Sequence, residues 1–202
     1  MSKKSGDSKK KQDRRIKRTL RMLSSALITL TMEKGYEAVS IRDITEKADI
    51  GYTTFFRHYK SKDALLRALL DDLLAEAVDA LPLGASMSES EHLGQVLFEF
   101  VEARWELFNV ILGKQGSHEA YYTLQELGCS LTRSMLEEDF TSELPIDIVA
   151  HHLISSVLSL IQWWIDNNKP YTPEQMGKMY VDLIVGPLHT STLTRNEPLP
   201  ND

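Results

Sequence analysis

A short run of side chains after residue 50 has the chemistry needed to read the edges of nucleic-acid bases. Arg57 can donate a pair of hydrogen bonds to a guanine, and Thr53 can contact a thymine methyl group or a phosphate oxygen. Tyr52 adds an apolar ring and a hydroxyl group. If the segment is helical, the residues on or near its exposed start and face are Gly51, Tyr52, Thr53, Thr54, Phe56 and Arg57.

Two short helices joined by a tight turn are predicted around this segment. Ser40, followed three residues later by Asp43, has the pattern of a capping box and predicts a helix over residues 41–48. Asp49 and Gly51 interrupt the pattern, and a second short helix is predicted over residues 52–59. We expect the apolar side chains of this pair to pack against a first helix: Ile41, Ile44, Ala48, Ile50, Phe55 and Tyr59. Such a pair favours a helix-turn-helix, whose second helix, the recognition helix, lies in the major groove of DNA.

The distribution of charge supports contact with a polyanion. The net charge is −6, but residues 1–67 hold 17 Lys and Arg against 8 Asp and Glu, while the remainder holds 6 against 21. A basic module joined to an acidic one is therefore predicted, although a basic tail kept for solubility gives the same totals. The arm and the start of the first helix carry the basic residues Lys3, Lys4, Lys9, Lys10, Lys11, Arg14, Arg15, Lys17, Arg18 and Arg21. This basic run either follows phosphates or enters a minor groove, or it remains a solvated tail.

The rest of the chain is predicted to be helical, which makes the fold class all-α. Apolar residues recur at steps of three and four from Ile16 to Leu30, and Ser61 caps a long fourth helix through residue 81. Further helices are predicted over residues 90–112, 117–139, 145–168 and 173–190. We expect a flexible basic arm (1–13), a helix-turn-helix domain (14–67), a helical ligand-binding and dimerisation domain (68–190) and a C-terminal tail (191–202).

Three segments, SIRDI at 40–44, ADIG at 48–51 and TFFRHY at 54–59, together with Lys62, Leu65 and Leu66, resemble the DNA-binding domain of the TetR family of transcriptional regulators. The resemblance covers about residues 14–67, including the Lys34-Gly35-Tyr36 turn. It implies that Ser40, His58 and Lys62 contact the DNA backbone. Arg42 either contacts a phosphate or forms a solvated pair with Asp43. The expected DNA-contacting residues are Ser40, Arg42, Gly51, Tyr52, Thr53, Thr54, Phe56, Arg57, His58 and Lys62.

Three residues depart from the TetR pattern. The family usually has Gly at position 49, Ser or Thr at 51 and Tyr at 56, whereas this chain has Asp49, Gly51 and Phe56. Aspartate tolerates a left-handed turn, and glycine is only a slightly weaker helix cap than serine. Phe56 lacks a hydroxyl, so one phosphate contact of the family is expected to be missing. We therefore expect the motif to be altered but functional, with an operator sequence that the residues do not specify.

The resemblance also implies an inducer pocket and a dimer interface in the second half of the chain. Aromatic residues at helical spacing are usually core, but they also form the walls of such pockets. The candidate pocket residues are Phe98, Trp105, Phe108, Tyr122, Trp163 and Trp164. The candidate dimer residues, on the last two long helices, are His152, Ser155, Ser156, Ser159 and Met179. Short segments around Phe108, Trp163 and Tyr171 are also similar to regulators related to dihydroxyacetone kinase activators.

Other kinds of chemistry find little support in the sequence. His151 and His152 point about 100° apart on a helix and have no third ligand at a suitable spacing, so no metal is expected. Cys129 has no evident catalytic partner and indicates a reducing compartment. No phosphate loop or nucleophile elbow is present, so we expect no enzyme activity and no cofactor.

The resulting hypothesis is a cytoplasmic homodimeric repressor, with no membrane segment, that binds double-stranded operator DNA and is released by a small apolar inducer. The polar residues within 146–165 favour a buried helix over a membrane span. Two alternatives remain open: a protein of the same scaffold that acts through a protein partner, and a non-specific nucleoid-binding protein.

Overall fold

Helices account for all regular secondary structure in the part of the chain that the computed structural model describes, residues 3–81, 90–114, 116–136 and 144–187. In chain order they are α1 (Lys3–Lys34), a 3-10 turn (Tyr36–Ala38), α2 (Ile41–Lys47), α3 (Tyr52–His58), α4 (Lys62–Ala80), α5 (Ser90–Ala103), α6 (Trp105–Leu112), α7 (His118–Leu136), α8 (Ile146–Asp166) and α9 (Pro173–Tyr180), which continues as a π-helical turn (Val181–Val185). The predicted all-α class is confirmed.

The three N-terminal helices enclose an apolar centre. Leu23 and Leu27 of α1, Ile44 of α2 and Phe55 of α3 are fully buried. The residues expected to form this centre do so: Ile44, Ala48 and Phe55 are buried, and Ile41, Ile50 and Tyr59 pack against them. This packing fixes the orientation of α3, because a short helix is held mainly by its buried face rather than by its own propensity.

The first helix is longer than expected. Residues 3–13, predicted as an arm preceding the helix, continue α1 back to Lys3. This segment contains no proline, and its lysine and glutamine residues are good helix formers. Extension of an existing helix is easier than nucleation, because each added residue gains a backbone hydrogen bond.

One helix was predicted over residues 90–112, and that prediction is wrong. The structure ends α5 at Ala103 and starts α6 at Trp105, with Arg104 outside helical geometry (φ −121°, ψ 28°). The guanidinium of Arg104 lies 3.8 Å from the centre of the Phe100 ring and donates a 2.8 Å hydrogen bond to Glu76 of α4. These contacts stabilise the interruption between α5 and α6. No glycine or proline marks this position in the sequence.

The close crossing of α5 and α9 depends on two glycines. A Cβ added to Gly94 would lie 2.8 Å from the Cα of Gly177, and one added to Gly177 would lie 2.5 Å from the backbone nitrogen of Gln95.

The regular part of α9 ends at Tyr180, whereas a single helix was predicted over residues 173–190. Residues 188–190 and 137–139, the ends of two predicted helices, lie outside the described residues.

A single apolar core runs through both halves of the chain. Helix α4 contacts α1 on one side and α5 and α7 on the other, so it links the two halves. Helix α8 is long and apolar enough to cross a membrane by length and composition, but one of its faces packs into this core through Leu158, Ile161 and Trp164. The fold thus places α3 at the surface of one half and the α8–α9 pair in the other.

Candidate nucleic-acid interface

The exposed face of α3 is formed by residues of the predicted recognition surface. Tyr52 is 55% exposed and Phe56 45% exposed, and their rings meet edge to face at 5.1 Å. Thr53 and Arg57 are exposed as well, while Thr54 and His58 are half-buried. An arginine, a threonine and two aromatic rings therefore stand together, which suits hydrogen bonding to guanine and apolar contact with thymine methyl groups.

The turn before α3 has the geometry expected for Asp49. Its φ angle is 53°, in the left-handed region, and the next backbone nitrogen, that of Ile50, donates to the carbonyl of Thr45 at 3.0 Å. Gly51 then occupies the cap position of α3 without a side chain to accept a hydrogen bond. Thus the aspartate preserves the bend, whereas the glycine leaves the start of the recognition helix without a side-chain cap.

Ser40 begins α2 through a complete capping box. Its hydroxyl accepts from the backbone nitrogen of Asp43 at 3.2 Å, and the Asp43 carboxylate accepts from the Ser40 backbone nitrogen at 2.8 Å. Lys34 at the end of α1 lies 2.8 Å from the same carboxylate. The hydrogen bonds from Lys34 and then from Ser40 hold the pKa of Asp43 well below its usual range. Ser40 therefore positions α2, whatever contact it also makes with DNA.

Arg42 pairs with a different carboxylate from the one expected. Its Nε atom donates to Glu46, one helical turn away, at 2.9 Å, while Asp43 pairs with Lys34. Both side chains of the Arg42–Glu46 pair are mostly exposed, at 82% and 66%. Exposed pairs of this kind contribute little free energy, so Arg42 can exchange Glu46 for a phosphate at small cost.

Lys62 lies in the first turn of α4, after the cap residue Ser61. Its Nζ atom donates to the carbonyl of Tyr36 at 2.9 Å and sits 4.2 Å from the centre of the Tyr36 ring. The Tyr36 hydroxyl in turn donates to Asp63 at 2.5 Å, and burial raises the pKa of that hydroxyl, with the Asp63 hydrogen bond adding to the effect. Lys62 thus ties α4 to the turn after α1.

A basic groove lies between α1 and α2. Arg18, Arg21 and Lys47 line it, around an apolar floor that includes Met22 and Ala48. Lys47 also pairs with a glutamate of α1 at 2.9 Å. Arg18 and Arg21, which belong to the basic run noted in the sequence, thus lie on the surface of the helix-turn-helix half.

The six candidate pocket residues do not surround one common cavity. Phe98 and Trp164 are fully buried and meet edge to face at 5.2 Å, which makes them core residues. Phe108 is also buried, whereas Tyr122 is 65% exposed. Trp105 borders a cavity at the end of α8, and Trp163 borders a separate surface groove.

That surface groove, between α8 and the turn after α9, contains most of the candidate dimer residues. It has a volume of about 500 Å³ and is lined by Ser155, Ser156, Ser159, Leu160, Trp163, Leu183 and Ile184. His152 is exposed on the same helix, while Met179 is half-buried and packs against the core. Ser155 accepts a 2.8 Å hydrogen bond from Gln125 of α7. The groove therefore presents small hydroxyl residues beside the large apolar side chains Trp163 and Leu183.

Sequence reasoning did not single out the contacts of Tyr36 and Asp63. The Tyr36 hydroxyl and the Asp63 carboxylate are 27 residues apart in the chain, and only the fold brings them together. The only signal in the sequence was an aromatic residue directly after Gly35. The φ angle of Gly35 is 80°, a conformation that favours glycine. No group of three His, Cys, Asp or Glu residues that could hold a metal occurs in the described residues.

Comparison with known proteins gives two family matches. The pattern of bacterial regulatory proteins of the tetR family matches residues 24–69, and that of a transcriptional regulator C-terminal region matches residues 89–186. Among curated relatives, the HTH-type transcriptional regulator YxbF of Bacillus subtilis is 24% identical over 193 residues, covering 88% of this chain and 47% of YxbF. The HTH-type transcriptional repressor KstR2 of Mycobacterium tuberculosis is 24% identical over 170 residues, covering 76% of this chain and 84% of KstR2. The chain spans about half the length of the first two curated relatives.

Solved structures share the fold. A TetR-family regulator from Syntrophomonas wolfei has a TM-score of 0.72 at 19% identity, covering 89% of this chain and 99% of that one. FadR of Bacillus subtilis, solved in complex with stearoyl-CoA, has a TM-score of 0.62 at 15% identity, covering 82% and 97%. The dihydroxyacetone kinase operon activator DhaS is a weaker neighbour, with a TM-score of 0.55 at 14% identity, covering 85% and 97%. At these identities the likeness concerns the fold alone.

Proposed function

The chain belongs to the TetR family of transcriptional regulators, and from that premise we propose that it is a homodimeric repressor which binds a specific operator and is released by a small molecule. The observation that carries the proposal is the exposed face of α3. Arg57, Thr53, Tyr52 and Phe56 project from a short helix whose opposite side chain, Phe55, is fully buried. A buried anchor of this kind keeps the reading face in one orientation, which base recognition requires.

Backbone contacts would come from α1 and α2. Arg42 on α2 is held only by an exposed pair, and Arg18 and Arg21 line the basic groove on α1. The missing hydroxyl at Phe56 removes one candidate phosphate contact, for which the positive charge of α1 compensates. Phosphate contacts position the protein, while Arg57 and Thr53 supply the choice of sequence.

Dimerisation follows from the exposed face of α8. Ile148 is 61% exposed and Trp163 is 46% exposed. Leu183, which lines the groove beside Trp163, is 65% exposed. Apolar side chains of this size on one face are costly in water, and a two-fold axis through α8 would bury them against their own copies. A symmetric dimer also presents two recognition helices to half-sites about 34–36 Å apart on DNA.

Control by an inducer is proposed because the regulatory half shares its core with the DNA-binding half. Ligand binding near α5–α8 would shift the dimer toward a spacing of recognition helices that does not match the operator. Action as a repressor is supported by KstR2, which is a repressor. An inducer with an apolar part is supported by FadR, which was solved with stearoyl-CoA, a ligand with a long acyl chain. A protein partner on the regulatory half is the second candidate; non-specific DNA coating is the third.

The test is a footprint of the purified protein on genomic fragments, with and without an extract of small cell metabolites. A repressor protects a short palindrome, and the extract lowers that protection. Uniform weak binding to every duplex would instead support the nucleoid-binding alternative. Protection that only a protein fraction relieves would favour the protein-partner alternative.

Arg57→Ala tests the exposed face of α3 directly, through its effect on operator affinity. We expect operator affinity to fall by on the order of 10- to 100-fold, since a good arginine–guanine pair is worth about 1–3 kcal/mol. Arg67→Ala is the control, because Arg67 is an exposed arginine on α4 paired with Asp71 rather than a member of the α3 face. Equal affinities for the two variants would contradict the assignment of α3 as the reading helix.

A further inference from the structure

A cavity of about 250 Å³ lies where the two halves of the chain meet, and it is separate from the groove beside Trp163. Thr31 and Met32 of α1 form one wall, and Trp105 and Asn109 of α6 form another. The end of α8 closes the third side. The volume corresponds to about eight water molecules at their liquid share of roughly 30 Å³ each, which is room for a small metabolite.

The wall of this cavity contains a buried hydroxyl that lacks a partner. Thr31 is 1% exposed, and its Oγ1 atom forms no hydrogen bond with any described residue. A helical threonine normally satisfies its hydroxyl by bonding to the carbonyl one turn earlier, as Thr29 does with Ser25 at 2.9 Å. An unsatisfied buried hydroxyl is unfavourable. Because Thr31 lines the cavity, rotation of its side chain toward a ligand there would give the hydroxyl a partner.

Two opposite charges border the same cavity without neutralising each other. Lys114, just after α6, and Asp166, at the end of α8, both line it, and neither forms an ion pair with a described residue. The amides of Asn109 and Asn168 also line the cavity, and its apolar surface comes from Met32, Trp105 and Ile165. The cavity thus offers a site for an anion, a site for a cation and an apolar surface.

We propose that this cavity binds a small zwitterionic amino acid with an apolar side chain. The ammonium group faces Asp166 and the carboxylate faces Lys114. The side chain rests on the ring of Trp105, whose orientation is held by Lys169, 5.0 Å from the ring centre. The Thr31 hydroxyl rotates toward the ligand and gains the partner that it lacks.

Occupation of the cavity would hold α1 of the DNA-binding half against α6 and α8 of the regulatory half. Asn109 already bridges these halves through a 3.1 Å contact from its amide to the sulfur of Met32. An amino acid bound here would therefore act as a second input on DNA binding, distinct from an inducer in the regulatory half. That effect on DNA rests on the proposed function, whereas binding itself does not.

The experiment measures ligand-induced thermal stabilisation of the full-length protein without DNA. Leucine, isoleucine, valine and methionine are each added at about 10 mM, since stabilisation grows with the logarithm of ligand concentration over Kd. Isopentylamine and 4-methylpentanoate, which are leucine without its carboxylate and without its ammonium group, are the matched single-charge probes. We expect at least one amino acid to raise the melting temperature and both single-charge probes to have no effect.

Variants assign the effect to this cavity. Asp166→Asn and Lys114→Gln should each weaken binding by on the order of tenfold or more, and Lys178→Gln, an exposed lysine on α9, should not. Thr31→Val removes the hydroxyl at nearly constant volume and should also weaken binding while leaving the ligand-free protein at least as stable. No stabilisation by any of the four amino acids overturns the proposal, as does equal stabilisation by the single-charge probes or stabilisation that survives both charge substitutions. The first of these results, together with normal operator binding, would overturn the amino-acid proposal and leave the repressor assignment intact.

Discussion

At the residue scale, Asp43 connects three parts of the helix-turn-helix half. Its carboxylate accepts from the backbone nitrogen and hydroxyl of Ser40, at 2.8 and 2.6 Å, and from Lys34 at 2.8 Å. The spacing of Ser40 and Asp43 predicts the first of these contacts. The contact with Lys34 is set by the path of the chain through Gly35, which spacing alone does not define.

The pH dependence of stability should report this network. The folded-state pKa of Asp43 is lowered, by Lys34 first and then by Ser40, so the carboxylate stabilises the fold above its unfolded pKa of about 3.9. That contribution should disappear as the pH falls from about 5 toward the folded-state pKa. Asp43→Asn should unfold at lower urea concentration at pH 7 and should lose less stability on acidification than the parent protein.

The matched control for Asp43 is Asp182→Asn, an exposed aspartate in the π-helical turn. Its urea midpoints should follow those of the parent protein across the pH series. If Asp43→Asn also follows the parent protein across that series, the network does not stabilise α2.

At the element scale, the helices differ in how their first turns are capped. Ser40, Ser61 and Thr172 each accept a hydrogen bond from a backbone nitrogen of the helix that follows. The caps at Ser40 and Ser61 were predicted from the sequence, because a serine precedes each of these two helices. Helix α3, whose exposed face we propose reads DNA, has only Gly51 at that position. Its start is therefore fixed by the Asp49 turn and by Phe55 rather than by a side-chain cap.

Gly51→Ser should stabilise α3 without disturbing the turn. The φ of Gly51 is −60°, which any residue adopts, and an added Cβ would lie 3.6 Å from the Oγ1 of Thr54, an ordinary contact. We expect the free energy of unfolding to rise by about 0.2–0.5 kcal/mol from the new cap, measured by urea denaturation. Gly51→Ala adds the same Cβ without a hydroxyl and should lower stability; a gain equal to that of serine would show that capping is not the cause.

The α5–α9 crossing is the feature that sequence patterns did not foresee. Each helix shows its own apolar periodicity, but the pairing of Gly94 with Gly177 is a property of two distant segments. The break at Arg104 is similar, because it depends on Glu76 in another helix. Local signals thus predicted the helix types and the caps, whereas contacts between helices decided the break and the crossing.

Gly94→Ala should destabilise the protein through that crossing. The added methyl group would lie 2.8 Å from backbone atoms of Gly177, so the helices must separate, at a cost of about 1–3 kcal/mol. Gly128→Ala on α7 is the control, since its Cβ would meet only the Ile154 side chain, at 3.1 Å. Thermal unfolding that ranks Gly128→Ala as equally harmful would argue against a special role for the glycine crossing.

At the scale of the whole molecule, the face that we propose as the dimer interface combines exposed apolar residues with small polar ones. Trp163 and Leu183 line one groove with the small residues Ser156 and Ser159, and Ile148 is exposed nearer the start of α8. The serines were singled out in the sequence because small side chains permit close helix approach. Trp163, a candidate pocket residue in the sequence, lines this groove, and helical spacing alone cannot distinguish a pocket wall from an interface.

Leu183→Asp should convert the dimer to a monomer. A buried charge repeated across a two-fold axis is unfavourable, because both carboxylates would lose water without gaining a partner. Light scattering after gel filtration gives the mass directly. Tyr122→Asp is the control, because Tyr122 on α7 is also 65% exposed but does not line the α8–α9 groove. If both variants are dimers, or if both are monomers, the assignment of the interface to this groove is contradicted.

The linking position of α4 has a practical consequence for protein engineering. Regulators of this kind invite exchange of the sensing half for that of another protein, with the seam placed after the helix-turn-helix motif. Here such a seam would cut a helix that packs against α1, α5 and α7, within a core that both halves share. A chimera that keeps α1 through α4 together should fold better and respond better to its new signal. It should also transplant the surfaces of α5, α6 and α7 that touch α1 and α4.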